Sequence, residues 1–341
     1  MAVHQLRRYG HGDARRWPRY FDVYCAYQTP HATLERPVMS RIEKTHIGFI
    51  GVGNMGMGML TRWRSLGGAA TAYDIEPERM QAAQALGSHT VSSPGAVAAA
   101  LGSDALLVIC VVDAAQCDDV LWGVNGVCES APAGLTVLLT PTLGPVDVQA
   151  IATRLASAGI ALIDAPMSGG PVRAAAGTMS LMVSGPTRRQ WWFVLEALAD
   201  PVFDLGDVIG DGAKTKLVNN LLAAINLVGA AQIMTLAARL ELDPKKTLAV
   251  IGESSGHSWI AMDRLSRALA DDPTPRAHMR LLAKDSRLAM EASDGVGYSP
   301  EMGAIAQEYF AQALAAGLEA ADDSAMWAFV QSLVDAKGTQ P

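Results

Sequence analysis

Two groups of residues could do chemistry, and the first is a glycine-rich turn. The segment Gly51–Gly56 has the spacing G-x-G-x-x-G, and Asp74 follows 18 residues after its last glycine. The first glycine allows a tight turn, the second lets the backbone approach a pyrophosphate, and the third lets helix and strand pack closely. Free N–H groups at a helix N-terminus would then hold the phosphates. The predicted pyrophosphate contacts are Gly51, Val52, Gly53, Asn54, Met55 and Gly56.

The choice of dinucleotide depends on Asp74. A carboxylate at this point accepts hydrogen bonds from the ribose hydroxyls of NAD and repels the 2′-phosphate of NADP. The residues that follow it, Ile75, Glu76 and Pro77, include no arginine that would bind that phosphate. The sequence therefore predicts NAD as the cofactor rather than NADP. The alternative is a glycine turn that binds no nucleotide.

The second group is a lysine and an asparagine one helical turn apart. Lys216 and Asn220 follow two glycines, Gly210 and Gly212. Residues i and i+4 share a helix face, so both side chains can meet one small molecule. Burial of the lysine in a cleft would lower its pKa and let it exchange a proton near neutral pH. Without these neighbours a solvated helix lysine is the commoner interpretation, and we expect Lys214 to be of that kind.

Hydrophobic patterning predicts the elements that position both groups. Short apolar runs bounded by glycine or polar residues indicate strands, and helical spacing fills the intervals between several of them. The predicted strands are His46–Ile50, Ala69–Asp74, Ala105–Val112, Thr136–Thr140, Ala161–Asp164 and Met179–Ser184. This alternation predicts an α/β fold with a Rossmann-type, doubly wound, mostly parallel sheet.

Strand signals end near residue 212. Leu217, Leu221, Ile225 and Val228 then form one apolar stripe of a long helix that runs to about residue 239. Helical patterns dominate the remainder, with breaks at prolines and glycines. We therefore predict an NAD-binding Rossmann domain over 45–211, a long interdomain helix, and an all-α C-terminal domain over 212–335.

Composition narrows the class of protein. The chain is 50% hydrophobic, and 27 Lys+Arg against 34 Asp+Glu give a net charge of −7. Such a chain can bury a core, and its acidic balance argues against nucleic acid or an anionic membrane as a partner. No stretch of 18 uninterrupted apolar residues predicts a membrane span. The four cysteines show neither a C-x-x-C pair nor zinc spacing, so we expect reduced thiols, a cytoplasmic protein and no metal.

Residues 1–44 differ from the rest of the chain, because they are basic and contain scattered prolines. They hold eight basic and four acidic residues. No apolar segment of signal-peptide type follows the arginines. We expect this segment to be a disordered tail, or the product of a start codon assigned too early, with translation from Met39.

Three sequence motifs occur in an order that is typical of one known protein family. Asp164-Ala165-Pro166-Met167-Ser168-Gly169-Gly170 follows the glycine turn and precedes the segment 210–220. In this combination the chain resembles the β-hydroxyacid dehydrogenase family over residues 46–330. The resemblance implies that Ser168, Gly169 and Gly170 bind the substrate's carboxylate and hydroxyl. It also implies that Lys216 is the catalytic lysine and that Asn220 lies beside it at the substrate.

The resemblance implies further contacts with the cofactor, and some of these positions depart from the family pattern. A Leu-Pro pair at a strand end is replaced by two valines, the asparagine four residues later by glutamine, and a Ser-Thr pair by Pro141-Thr142. A late Lys-Asp pair is retained, and its lysine is expected to approach the cofactor. The implied contacts are Val111, Val112, Gln116, Thr142 and Lys284.

The activity implied by the resemblance is reversible hydride transfer between NAD and a small hydroxy acid. L-Threonate is the favoured substrate, and tartronate semialdehyde and 3-hydroxyisobutyrate are the alternatives. An NAD-binding scaffold or sensor without turnover is the alternative outside the enzymes. The apolar long helix and the helical second domain favour a homodimer or homotetramer.

Overall fold

The computed structural model describes residues 36–272 and 274–338. Residues 1–35 lie outside the described residues, so the expectations for most of the basic segment stay predictions. Its last part departs from the expected tail, because Arg36–Glu43 forms helix α1. Ile42 of this helix is fully buried, and Val38 and Met39 pack against the first hydrophobic core. Burial of this apolar face explains why these residues are ordered.

A six-stranded parallel sheet forms the centre of the first half of the chain. Its strand order is β3-β2-β1-β4-β5-β6, and every neighbouring pair is parallel. The strands are β1 (His46–Ile50), β2 (Ala69–Tyr73), β3 (His89–Thr90), β4 (Leu106–Ile109), β5 (Thr136–Leu139) and β6 (Ala161–Asp164). The order reverses between β1 and β4, so the carboxyl ends of these two strands border the crevice where such sheets bind ligands. The predicted Rossmann-type fold is confirmed.

Helices cover both faces of the sheet, which makes it doubly wound. They are α2 (Asn54–Ser65), α3 (Pro77–Ala85), α4 (Pro94–Ala100), α5 (Ala114–Trp122), α6 (Val127–Ser130), α7 (Pro145–Ser157), α8 (Gly170–Ala176) and α9 (Trp192–Leu198). Along β4, Val108 packs into a core with α2, α8 and α9, whereas Leu107 and Ile109 pack into a core with α4, α5 and α7. This alternation buries both faces, which is why the strand is a continuous apolar run in the sequence.

Strand β4 is shorter than predicted. The apolar run predicted a strand over Ala105–Val112, but the ladder ends at Ile109, and Cys110 adds one last bond from its N–H to the Ile50 carbonyl. Val112 lies beyond the ladder and is 45% exposed. Its backbone N–H and carbonyl oxygen instead form hydrogen bonds with the side chains of Gln116 and Lys284.

A second, three-stranded sheet was not predicted. It comprises β7 (Met167–Ser168), β8 (Ser180–Val183) and β9 (Val202–Asp204), with β7 antiparallel and β9 parallel to β8. The predicted strand at Met179–Ser184 therefore belongs to this sheet rather than to the main one. Strand β7 leads directly into the Ser168–Gly170 turn.

Helices make up the second half of the described chain. They are α10 (Asp211–Arg239), α11 (Pro244–Gly252), α12 (Trp259–Leu269), α13 (Met279–Asp294), α14 (Glu301–Ala315) and α15 (Met326–Gly338). Helix α10 has 29 residues, which makes it about 44 Å long at ~1.5 Å per residue. It is long and apolar enough to cross a membrane by length and composition, a test that buried core helices also pass. Here it packs against α12, α13, α14 and α15.

Candidate active site

The glycine turn has the geometry that the sequence predicted. Gly51 has a φ of +84°, and a Cβ there would lie 2.4 Å from the Cys110 carbonyl oxygen. A Cβ on Gly56 would lie 2.0 Å from the Gly51 carbonyl oxygen. Gly53 is the N-cap of α2 and places no side chain over the helix start, so the first-turn N–H groups are open to an anion. These features fit a dinucleotide pyrophosphate.

A cleft of about 700 Å³ lies beside this turn. Val52, Gly53 and Asn54 line one side of it, while Met55 lies partly buried against the first core. Pro171 of α8 lines another side. The cleft therefore adjoins the element that starts at the predicted substrate turn.

Asp74 is buried immediately after β2 and is held by backbone groups. Its Oδ2 accepts a hydrogen bond of 2.8 Å from the Val52 N–H, and its Oδ1 accepts one of 3.0 Å from the Glu76 N–H. The carboxylate thus joins the glycine turn to the end of β2. This position and charge fit the ribose of a dinucleotide bound at the turn.

A second buried carboxylate, Asp164, holds the start of the long helix. Its Oδ2 accepts hydrogen bonds from the Gly210 N–H at 3.1 Å, the Ala213 N–H at 3.0 Å and the Ser184 hydroxyl at 3.1 Å. A Cβ on Gly212 would lie 2.9 Å from the same oxygen. A negative charge at a helix N-terminus is favourable, although burial raises the pKa of this carboxyl to about 6. The sequence contained this aspartate in a motif but gave it no role.

The hydrogen bonds of Asp164 to the start of α10 also fix the position of Lys216 on that helix. Lys216 follows Ala213 by one helical turn, and its side chain is buried. Burial lowers its pKa to about 8, the nearby Asp285 carboxylate opposes that shift, and the Lys284 ammonium adds to it. Lys214, by contrast, is half exposed and pairs with Asp211 at 2.8 Å, as predicted for a solvated lysine.

Asp285 of α13 contacts one predicted catalytic residue, Asn220, and one predicted cofactor contact, Lys284. The Asn220 side-chain amide donates a hydrogen bond of 2.6 Å to Asp285 Oδ2, and Lys284 Nζ lies 3.4 Å from Asp285 Oδ1. Asp285 is itself buried. Sequence reasoning missed this residue, although the Lys284-Asp285 pair was the signal that could have identified it.

Lys284 links α13 to the carboxyl ends of two strands of the sheet. Its Nζ donates to the Val112 carbonyl oxygen at 2.9 Å and to the Thr142 carbonyl oxygen at 2.7 Å. The Val112 N–H, which a proline would lack, donates to Gln116 Oε1 at 2.9 Å. Val111 packs against the second core. At these two positions, which depart from the family pattern, the Val112 N–H and the Gln116 side-chain oxygen are therefore hydrogen-bonded to each other.

The Ser168–Gly170 turn lies between β7 and α8. Gly169 and Gly170 have φ angles of +133° and +78°, which favour glycine. The Ser168 carbonyl oxygen accepts a bond of 3.3 Å from the Ser180 hydroxyl, which joins the turn to the small sheet. The turn continues the segment that begins at Asp164, and so it is tied through that residue to the helix that carries Lys216.

The predicted residues thus fall into two contact networks. One joins Asn220 and Lys284, through Asp285, to Val112 and Thr142 at the ends of β4 and β5, and the charges of Asp285 and Lys284 act on the buried Lys216. The other joins the glycine turn to Asp74 at the ends of β1 and β2. Within residues 36–272 and 274–338, no group of three or more His, Cys, Asp or Glu side chains is placed to hold a metal ion.

Comparison with known proteins decides the family. Residues 46–206 match the NAD binding domain of 6-phosphogluconate dehydrogenase, and residues 210–330 match the NAD-binding domain of NADP-dependent 3-hydroxyisobutyrate dehydrogenase. An L-threonate dehydrogenase of Cupriavidus necator is 35% identical over 285 residues, which cover 82% of this chain and 94% of that protein. The chain belongs to the β-hydroxyacid dehydrogenase family.

Other members of the β-hydroxyacid dehydrogenase family are similar along most of their length. The human mitochondrial 3-hydroxyisobutyrate dehydrogenase is 28% identical over 84% of this chain and 87% of that protein. The crystal structure of a 3-hydroxyisobutyrate dehydrogenase from Salmonella typhimurium superposes with a TM-score of 0.77 at 31% identity. It covers 83% of this chain and 99% of its own. The β-hydroxyacid dehydrogenase fold is therefore matched from the glycine turn through the helical half.

Replacement of Asp164 tests the anchor of the long helix. We expect Asp164→Ala to lower the free energy of unfolding by about 2–5 kcal/mol, because it leaves two buried backbone N–H groups without an acceptor. Urea unfolding followed by circular dichroism measures the change. Asp118→Ala is the matched control, since Asp118 is 55% exposed and pairs only at the surface with Arg154. Equal stability of the two variants would contradict the anchoring role.

Proposed function

We propose that L-threonate is the substrate of this NAD-dependent hydroxy-acid dehydrogenase. The observation that supports hydroxy-acid chemistry is a buried Lys216 with a lowered pKa, one helical turn from Asn220, in a chain whose parallel sheet also carries a dinucleotide turn. When bound, the nicotinamide ring supplies the hydride acceptor or donor. The protein's own groups supply position and proton transfer.

Lys216 acts as the general base or general acid for the proton of the reacting hydroxyl. In the oxidation direction its neutral amine accepts that proton, and in the reduction direction its ammonium returns one. Asn220 donates to Asp285, which holds the amide in a fixed orientation beside the lysine. The side-chain oxygen of Asn220 faces the neighbouring Asn219 amide at 3.1 Å. The second N–H of the Asn220 amide is then the group that would bind a substrate hydroxyl.

The Ser168–Gly170 turn binds the substrate carboxylate. Its positive-φ glycines give no Cβ near the bound acid, and no side chain caps the start of α8 at Gly170, although Pro171, the second residue of that helix, has no N–H to offer. These N–H groups and the Ser168 hydroxyl are donors suited to a carboxylate. Holding the acid here and the alcohol at Lys216 orients the reacting carbon.

The preference for L-threonate rests on the relatives. Five L-threonate dehydrogenases are 29–35% identical to this chain, while the mitochondrial 3-hydroxyisobutyrate dehydrogenases of human and cattle are 28% and 29% identical. Tartronate semialdehyde and 3-hydroxyisobutyrate remain the alternatives, because the carboxylate turn and the lysine serve any small hydroxy acid. L-Threonate carries more hydroxyl groups than 3-hydroxyisobutyrate, and each buried hydroxyl needs a polar partner in the site. Relative rates with the two substrates therefore report whether those partners are present.

A substrate panel tests this function. Purified protein with NAD is offered L-threonate, glycerate and 3-hydroxyisobutyrate, and with NADH it is offered tartronate semialdehyde, while absorbance of NADH is followed. We expect the highest kcat/KM with L-threonate. Lys216→Ala should lose about 10²–10⁴-fold in turnover with little change in NADH binding, and Lys214→Ala should keep full turnover. Tight NADH binding without turnover of any member would instead favour an NAD-binding scaffold or sensor.

The pH dependence tests the role of Lys216. Its pKa of about 8 means that the amine is mostly protonated below pH 8 and neutral above it. For oxidation, kcat/KM should therefore rise about tenfold per pH unit below pH 8 and level off above it. Lys214→Ala should leave this profile unchanged. A flat profile between pH 6.5 and 9 would contradict proton transfer by Lys216.

The enzyme is proposed to act as a cytoplasmic homodimer or homotetramer. Helix α10 exposes apolar side chains at Val218, Leu222, Ile233 and Leu236, each more than half exposed in the single chain. Exposed apolar faces of this kind are typical of subunit contacts. The described cysteines are free thiols, which suits a reducing compartment. Light scattering of the purified chain measures its mass, and a monomer would contradict the assembly.

A further inference from the structure

An arginine that sequence reasoning overlooked lies beside the ribose carboxylate. Arg79 is in the first turn of α3, five residues after Asp74. Its Nη1 is 3.7 Å from Asp74 Oδ2. A Cβ on Gly53 would lie 2.8 Å from the same nitrogen. The guanidinium thus stands between the carboxylate at the ribose position and the glycine turn at the pyrophosphate position.

The fold places Arg79 there through the short connection after β2. Glu76 is the N-cap of α3, Pro77 begins the helix, and the Glu76 N–H is held by Asp74 Oδ1. The first turn of α3 therefore folds back over the end of β2. Arg79 is 49% exposed and lines the nucleotide cleft rather than the protein interior.

Asp74 and Arg79 have opposite effects on a phosphate bound between them. Asp74 is a buried carboxylate that repels a phosphate, whereas Arg79 presents a fork of N–H donors that suits one. Glu78 and Arg276 also line the cleft, and Arg276 is already paired with Asp272 at 2.9 Å. Among the arginines that line the cleft, Arg79 is therefore the one paired with Asp74, at an N–O distance of 3.7 Å.

We propose that Arg79 is a second determinant of cofactor choice, a phosphate-binding guanidinium that Asp74 keeps occupied. The preference for NAD then results from one carboxylate that both repels a 2′-phosphate and neutralises its nearest cation. Removal of the Asp74 charge leaves Arg79 free to bind the 2′-phosphate of NADP. This inference rests on the dinucleotide site and not on the identity of the hydroxy acid.

Equilibrium binding of the reduced cofactors tests the proposal without any substrate. NADH and NADPH are titrated against the full chain, and the Kd of each is measured from cofactor fluorescence. Asp74→Asn should tighten NADPH binding by about 10- to 100-fold, the range of a new charge-assisted bond. Arg79→Ala in that background should remove most of the gain. Because no hydroxy acid is present, the result is independent of the substrate panel.

A matched control separates this effect from a general change in surface charge. Arg154 is 50% exposed and pairs with Asp118, as Arg79 is 49% exposed and pairs with Asp74, but it lies on α7 away from the cleft. Asp74→Asn combined with Arg154→Ala should keep the full gain in NADPH affinity. The proposal is overturned if the gain survives Arg79→Ala, or if Asp74→Asn binds NADH and shows no gain for NADPH.

A single substitution keeps the test decisive if Asp74→Asn disturbs folding. Arg79→Ala in the otherwise unchanged chain leaves the Val52–Asp74 hydrogen bond intact. It should weaken NADPH binding more than NADH binding, because the Asp74 carboxylate then repels the 2′-phosphate with no neighbouring cation to neutralise it. Equal weakening of the two cofactors would assign Arg79 to the shared part of the nucleotide and overturn its role in the choice.

Discussion

The site depends on one buried carboxylate at the start of one helix. Asp164 ends β6 and accepts hydrogen bonds from the Gly210 and Ala213 N–H groups at the start of α10, and so it joins the main sheet to the long helix. A helix start buried in protein has N–H groups that need acceptors, and a carboxylate satisfies them while it complements the helix dipole. Lys216, one turn further along, takes its position from this contact.

A second cross-link closes the site from the other side. Lys284 reaches from α13 to the carbonyl oxygens of Val112 and Thr142, at the carboxyl ends of β4 and β5. Asp285 next to it holds Asn220. The helical half of the chain is thereby attached to the sheet beside its topological switch point. Lys216 is buried, and this burial disfavours its charged form and so lowers the pKa of the lysine.

The departures from the family pattern are explained by compensation between neighbours. Replacement of a proline by Val112 adds a backbone N–H that needs an acceptor near the cofactor crevice. The longer side chain of Gln116 supplies its carbonyl oxygen to that N–H. The hydrogen bond from the Val112 N–H also fixes the Gln116 side chain at the start of α5. The Val112 carbonyl oxygen remains available to Lys284.

The sequence by itself predicted the elements that depend on local rules. The apolar runs of the main sheet, the glycine turn, the long helix and the one-turn spacing of Lys216 and Asn220 all follow from periodicity and from steric limits near the backbone. Short strands such as β3, β7 and β9 escaped prediction, because two or three residues hold no period. The apolar run before Val112 likewise could not show where the ladder stops.

Only the tertiary structure decided which distant groups meet. Asp164 contacts residues 46 and 49 positions away, Asn220 reaches Asp285 across 65 positions, and Lys284 reaches Val112 across 172. The contact of Arg79 with Asp74 depends on how α3 folds back over β2. Hydrogen bonds and ion pairs act over a few ångströms in space, whatever the separation along the chain. The residue types and their spacing therefore predicted which reaction the chain catalyses. The packing of the sheet against the helices determined which distant side chains contact the site residues.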